Sequence, residues 1–281
     1  MKKFFLAYAF FFIALVSIQA RPPKVPAYVD FAGQRVMLDS PDRQERMDKE
    51  ILAFCYMHST STQMLKRSKR VFDIVVPILR RYSIPEDLKY LMVIESNLDP
   101  QAHSPAGAAG LWQFMQTSGR EYGLEVNANV DERYNIRKST EAACKYLKAL
   151  YDRFGDWMAV AACYNSGPAG IASRMDTQLS DDAMELWVPA ETSRYMFRVL
   201  TAKLFFEDPL AFGIEVDPSE YYTYPRIKEV VTTTDPIPDL AAFAASKGVS
   251  FYALKKANLW LRESKLNNST HRRYEIIIPE R

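Results

Sequence analysis

Between positions 40 and 210 the apolar residues recur every three or four positions, and period-two alternation is almost absent. That spacing belongs to amphipathic helices. Ser40-Pro41 marks a helix start, with Ser as cap and Pro in the first turn, and Met47, Ile51, Leu52, Phe54 and Cys55 form its apolar side. Ser59-Thr60-Ser61-Thr62 interrupts the pattern. A second helix is predicted over 63–82, with Leu65, Val71, Phe72, Val75, Ile78 and Leu79 inward and a solvated face of Lys66, Arg67, Lys69 and Arg70. Ser83 and Glu86 have capping-box spacing, opening a helix that runs to Ser96 and stops before Pro100. A Gly/Ala loop fills 101–110, a short helix is expected over 111–121, and 124–137 reads as polar and irregular. Further helices are predicted at 138–154, 156–165, 168–175, 180–186 and 190–206.

Beyond Pro209 the pattern changes. Residues 221–234 alternate and are rich in β-branched and aromatic types, a strand signal. Two short helices at 238–247 and 250–258 and a strand at 274–278 follow, which predicts a small βααβ module over 222–281. At the other end, Lys2-Lys3, an apolar run from Phe4 to Ile18 and a small residue at Ala20 read as a secretory signal peptide over 1–20. The run is short for a membrane span, which takes about 20 residues, and no Cys follows it to carry a lipid. Residues 21–39, with Pro22, Pro23 and Pro26, read as an extended arm.

Composition narrows the chemistry. The 281 residues carry 36 Lys and Arg against 34 Asp and Glu, and loss of Lys2 and Lys3 with a signal peptide leaves a balanced chain. Such a chain offers no basic footprint for a nucleic acid. Sixteen Tyr, sixteen Phe and four Trp chiefly fill a core, with sugar stacking as a second use. Cys55, Cys144 and Cys163 lie in apolar helical patterns and are expected as buried thiols, a Cys144–Cys163 disulfide being the alternative after export. His58, His103 and His271 lack metal-ligand spacing, and there is no CxxC, phosphate loop, GxGxxG or GxSxG, so neither metal nor other cofactor is expected. What remains is Glu95, at the end of Leu91-Met92-Val93-Ile94. Burial there raises a carboxyl pKa and makes a proton donor. Taken alone, a local partner at the helix end is the simpler reading.

The surrounding residues change that balance. Glu95-Ser96 followed by Ala102-x-Ser104-x-x-Gly107-Ala108-x-Gly110-Leu111-x-Gln113-Phe114-Met115 resembles the signature of the lytic transglycosylases of the soluble-transglycosylase family, lysozyme-like enzymes that cut peptidoglycan. Tyr164-Asn165-Ser166-Gly167 resembles the family's tyrosine-asparagine motif, and Glu191-Thr192-x-x-Tyr195 its third motif. Gly110-Leu111-Trp112-Gln113-Phe114 and Asp156-Trp157 are most similar to the membrane-bound transglycosylase D branch. The likeness spans about 75–205; Gln116, Leu98 and Cys163 depart from it where Pro, Phe and Ala are usual.

The resemblance implies a mainly α protein, with a lysozyme-like helical catalytic domain over 40–208. It implies that Glu95 protonates the oxygen between N-acetylmuramic acid and N-acetylglucosamine and then takes a proton back, with Tyr164 orienting it. Ser104, Gln113, Met115, Asn165 and Glu191 would line the sugar sites, and Tyr195 the same wall. The implied partner is the peptidoglycan glycan strand, in an exported, periplasmic setting; membrane association and partners in wall synthesis or hydrolysis stay open. A hydrolytic muramidase similar to goose-type lysozyme, using an acid such as Asp99, is one alternative, and an inactive wall-binding protein another. Val249-Ser250, Leu254, Asn258 and Ile276-Ile277-Ile278-Pro279 resemble a LysM module, which binds N-acetylglucosamine chains. Asp235-Pro236-Ile237-Pro238-Asp239-Leu240 stands where LysM usually has Gly-Asp-Thr-Leu, so sugar binding and a structural cap are both open.

Overall fold

A helix that is apolar on every side must be surrounded, and Trp157–Cys163 is such a stretch: all seven residues are buried. The computed structural model, which describes residues 21–280, wraps the larger part of the chain around it. The expected signal peptide lies outside the described residues, and among those no helix is long and apolar enough to cross a membrane. The helices are α1 (Pro41–Tyr56), α2 (His58–Arg81), α3 (Lys89–Ser96), α4 (Gln116–Glu121), α5 (Ile136–Phe154), α6 (Trp157–Ser166), α7 (Pro168–Gln178) and α8 (Ala190–Glu207). Local chemistry sets their ends. Ser40, Asn135 and Asp156 accept the N–H groups of Arg43, Lys138 and Ala159, and Gly155 closes α5 in the left-handed region. The buried centre of α6 packs on α5, α7 and α8, and α8 also packs on α1 and α3.

The stretch read as an extended arm is a hairpin. Strands β1 (Tyr28–Phe31) and β2 (Gln34–Met37) pair antiparallel across an Ala32-Gly33 turn in which both residues have positive φ. Val29, Phe31, Val36 and Leu38 enter the main hydrophobic core, so the segment is part of the helical body. Proline count pointed to an open chain; the alternation after Pro26 was the signal that mattered.

Other expectations also shift. Helix α2 starts at His58, ahead of the Ser/Thr stretch, because Ser61 turns its hydroxyl onto the Phe54 carbonyl (2.7 Å) and leaves the helix intact. The Ser83/Glu86 capping box does not form: Ser83 has φ +57, Glu86 pairs with Arg80, and α3 begins only at Lys89, after a 3-10 turn. Residues 111–113 form a turn and Phe114 bridges to Ala109, leaving α4 only 116–121, and 180–186 is not helical. All three cysteines are buried free thiols, and burial pushes Cys144 and Cys163 up to about 12.

The C-terminal part has its own core of Leu240, Leu254, Trp260, Leu266, Tyr274, Ile276 and Ile278. Its order is β3 (Ile227–Thr233), α9 (Leu240–Ser246), α10 (Phe251–Ala257) and β4 (Tyr274–Pro279), with β3 and β4 antiparallel. Val130, from the 124–137 segment of the helical part, belongs to this second core.

Phe31 is fully buried. Phe31→Ala is therefore expected to cost about 3–5 kcal/mol of stability, read from urea unfolding; a freely extended arm would lose almost none.

Candidate active site

Glu95 occupies the last turn of α3, between buried Ile94 and Ser96, while its own side chain stays partly open to solvent. Asn97, at φ +49, ends the helix and returns its N–H to the Val93 carbonyl (2.9 Å). Facing Glu95 is α8, where Glu191, Tyr195 and Arg198 follow one another at helical intervals on one side. Desolvation by the surrounding apolar residues pushes the Glu95 carboxyl up to about 7; the Tyr195 phenol and the Arg198 guanidinium pull it down, and Glu191 pushes it up. Glu95 thus keeps a proton to near neutrality and can still be reached from outside.

Two phenols adjoin it. Tyr195 is buried, and its acidity is suppressed first by burial and then by the Glu95 charge. Its hydroxyl lies within range to stabilise the Glu95 carboxylate, but has no well-aligned partner in the resting geometry. Tyr164, on α6, also feels Glu95, yet gives its hydrogen bond to the Trp112 carbonyl (2.6 Å). Both phenols thus lie within reach of the Glu95 charge: Tyr195 keeps its hydroxyl without a well-aligned partner, and Tyr164 spends its own on the loop 102–115.

That loop is built from close turns. Gly110 N–H donates to Ala102 O (2.9 Å), Ala109 N–H to Phe114 O (3.1 Å) and Ser104 N–H to Ala108 O (2.9 Å), while the Ser104 hydroxyl accepts the Ala108 N–H (3.0 Å). Gln113 sits in the left-handed region (φ +48), where a non-glycine residue is strained. Its amide donates to Gly110 O (2.8 Å) and Ala102 O (3.2 Å), which locks the turn and leaves the side-chain oxygen free to accept. Trp112 is buried with its indole N–H on Thr140 (2.9 Å). Under the loop, Phe114, Tyr146 and Tyr164 form a chain of ring contacts at 6.4 and 5.5 Å.

One buried side chain holds the loop together. Arg133 is 3% exposed. Its guanidinium donates to both Asp131 oxygens (2.9 and 2.8 Å), to Gly107 O (2.8 Å) and to Phe114 O (2.9 Å). The planar fork thus joins the two limbs of the loop to a carboxylate that balances its charge. Gly110 (φ +76) lies so close that a Cβ there would stand 2.0 Å from the Arg133 carbonyl oxygen.

Glu95, Tyr164, Tyr195 and Glu191 are thus brought together, and Gln113 directly follows Trp112 in the turn that Tyr164 holds. Ser104, Met115 and Asn165 make no hydrogen bond to Glu95; Ser104 braces the loop, Met115 is 43% exposed, and Asn165 leaves its amide unbonded. The alternative acid is spoken for: Asp99 accepts the Gln101 N–H and lies 3.6 Å from Arg67, while Asp131 is the counterion of Arg133. No cluster of three His, Cys, Asp or Glu able to hold a metal occurs among the described residues. Sequence reasoning missed Arg198 and Arg133. The first is a charge inside the apolar run Met196-Phe197-Arg198-Val199-Leu200, a usable signal; the second sits in a polar stretch that gives none.

Residues 77–185 match the family model of the Transglycosylase SLT domain, and residues 229–281 that of the Soluble lytic transglycosylase C-terminal LysM-like domain. The chain is 28% identical over 247 residues, 85% of its length, to membrane-bound lytic murein transglycosylase D of Escherichia coli strain K12, and that match covers 53% of the relative. It is also 28% identical over 122 residues to membrane-bound lytic murein transglycosylase F of Klebsiella pneumoniae, covering 40% of this chain and 22% of that one. The 70 kDa soluble lytic transglycosylase of Escherichia coli aligns at a TM-score of 0.42 and 17% identity, over 63% of this chain and 33% of its own. The chain therefore carries an SLT-type transglycosylase domain and a LysM-like domain, is homologous to the D-type enzymes, and spans about half their length.

Gly110→Ala is expected to lower stability by about 2 kcal/mol or more, since strain and a backbone clash add. Gly107→Ala, where a Cβ meets nothing within 4 Å, should cost only the left-handed strain of about 1 kcal/mol. Thermal melting of the two variants side by side checks this.

Proposed function

We propose that this chain is a peptidoglycan lytic transglycosylase. It would cleave the β-1,4 bond between N-acetylmuramic acid and N-acetylglucosamine and leave a 1,6-anhydromuramic end. The supporting observation is the state of Glu95: a half-buried carboxyl on α3, desolvated enough to hold its proton up to about 7 and faced by Glu191, Tyr195 and Arg198 of α8.

In this reading the Glu95 proton passes to the glycosidic oxygen as the bond to C1 of the muramic ring breaks. The positive charge that develops at C1 is shared by the substrate's own acetamido oxygen. The 6-hydroxyl of the same ring then bonds to C1 and returns its proton to Glu95. Atoms balance without water, and attack within one ring carries an intramolecular advantage. A second carboxylate, which ordinary glycosidases need, is not required. Tyr195, free of a well-aligned partner, would hydrogen-bond the carboxylate formed at mid-reaction. Gln113, Ser104, Met115, Tyr164, Asn165 and Glu191 would line the sugar sites, Gln113 through its free amide oxygen. A hydrolytic route through Asp99 has less support, since Asp99 is engaged by Arg67 and the Gln101 N–H.

The proposal includes export to the periplasm through a cleaved signal peptide over 1–20. It takes the hairpin and residues 40–208 as the catalytic domain and 222–281 as the C-terminal module.

Glu95→Gln is expected to abolish release of soluble fragments from peptidoglycan, a loss of at least about 10²-fold for a missing proton donor. Its fold should gain relative stability as pH rises. The Glu95 pKa is raised in the folded state, so the stability of its neutral form is complete below the unfolded value and is lost as pH rises through about 7. The neutral amide suffers no such loss, and melting temperatures at pH 5 and 8 measure the difference.

The kcat of the unaltered protein should fall as pH rises past about 7. Tyr195→Phe, which removes a group that lowers the Glu95 pKa, should move that limb to higher pH. Mass analysis of the digest decides the reaction: 1,6-anhydro ends support the proposal, and reducing muramic ends would replace it with hydrolysis.

A further inference from the structure

The segment that carries Asp131 and Arg133 is also the seat of the C-terminal module. Asn129 is buried there, and its side chain is spent on the module: the amide donates to Lys265 O (2.8 Å) and Glu263 Oε2 (3.1 Å), and the oxygen accepts the Asn267 N–H (2.8 Å). Its carbonyl accepts the Arg262 N–H (2.9 Å), and Asp131 donates its own N–H to Trp260 O (2.9 Å). Val130, between them, is inside the module's core. Glu125 accepts from the Tyr274 hydroxyl (2.7 Å) and from Arg272 (2.9 Å), and the Arg262 guanidinium lies 4.3 Å from the Tyr134 ring centre. A second contact reaches the start of the active-site loop, where Lys256 of α10 donates to Gln101 (2.6 Å). The connecting chain is fastened as well, with Tyr222 N–H on Lys66 O (2.8 Å) and Glu220 on the Lys66 ammonium (2.7 Å).

These contacts form one mechanical series. The module's 258–268 loop fixes Asn129 and the Asp131 backbone; Asp131 fixes Arg133; Arg133 fixes the carbonyls of Gly107 and Phe114; and the loop so held is tied through the Trp112 carbonyl to Tyr164, whose phenol feels the Glu95 charge. A buried guanidinium tolerates little displacement of its counterion, because an unpaired buried charge is costly. Undocking the module would strip Asp131 of a backbone hydrogen bond and expose Val130 to water.

We propose that the C-terminal module is a positioning element of the active site: its 258–268 loop is committed to residues 129–131, and through Asn129, Asp131 and Arg133 it sets the loop 102–115. Glycan capture by that loop is then not the module's task. The effect on rate rests on the reading of Glu95 as the proton donor; the effect on loop rigidity does not.

The test uses the full chain carrying Asn129→Ala. With soluble glycan chains, kcat should fall about tenfold while KM stays within about twofold, as expected for misplaced catalytic groups with sugar contacts retained. Amide exchange at 107–114 should quicken, and co-sedimentation with insoluble peptidoglycan should be unchanged. Unaltered kcat with unaltered exchange overturns the proposal. So does loss of co-sedimentation at full kcat, which would make the module an independent sugar binder. If the unaltered protein proves unable to cleave glycan, the activity reading falls and exchange alone decides: faster exchange at 107–114 supports the positioning role, and unchanged exchange ends it. Should Asn129→Ala not fold, Arg262→Ala gives the same comparison. It removes an exposed guanidinium from the Tyr134 ring and leaves the backbone bond in place, with an expected fall in kcat of about threefold.

Discussion

The architecture turns on a charge placed where charges are expensive. Arg133 is buried, and a guanidinium out of water is tolerated only when nearly every donor is matched. Asp131 neutralises it through two bonds, and Gly107 and Phe114 supply carbonyls for the remaining fork. The loop 102–115 contains almost no repetitive secondary structure and places Gln113 in a strained conformation, so its close turns depend on Arg133 to join their two limbs. Gly110 has no side chain because Arg133's own backbone occupies the space. The loop, the segment 124–137 and the C-terminal module therefore form a single arrangement, although they are distant in sequence.

Against this fixed background Glu95 is tuned by opposing influences. Apolar surroundings favour the neutral acid, Arg198 and Tyr195 favour the carboxylate, and Glu191 favours the acid again. The balance falls near neutrality, where a group can both give and recover a proton. Three of these influences come from one face of α8, so the rotation of a single helix about its axis sets them together. The main core holds that rotation, with Met196, Phe197, Val199 and Leu200 buried on the remaining sides.

Much of this was legible in the residues, and the limits have physical causes. Helical periodicity located α1, α5 and α8, because each presents an apolar side to one core, and an unbroken apolar run located α6. It failed where side chains override local preference: at Ser61, whose hydroxyl bonds back onto the preceding helix; at Ser83, forced to positive φ; and across 111–115, where an apolar run is a set of turns fixed by Arg133. The hairpin at 28–37 was obscured by its prolines, which lie just outside it. At the site, Glu95, Gln113, Tyr164, Glu191 and Tyr195 could be named from the family resemblance of their motifs, but how the two phenols divide between Glu95 and the loop could not, because both lie on helices whose rotation only packing determines. Asn129 and Arg133 gave no signal, since their partners are backbone carbonyls and a module more than a hundred residues downstream.

The buried thiols bear on the order of events during maturation. Cys144 on α5 and Cys163 on α6 are held with pKa values near 12, which leaves about one thiolate in 10⁵ at neutral pH. Thiol–disulfide exchange proceeds through the thiolate, so burial slows the reaction of Cys144 and Cys163 with an oxidant. An unfolded chain, with ordinary and accessible thiols, has no such protection, and three cysteines allow only one pair and leave an odd partner. In the exported chain proposed above, helix closure and oxidation would be in competition: burial completed first leaves the sulfurs reduced, and oxidation first would tether helical segments before they have packed. The apolar wall around these cysteines is a kinetic safeguard as well as a core.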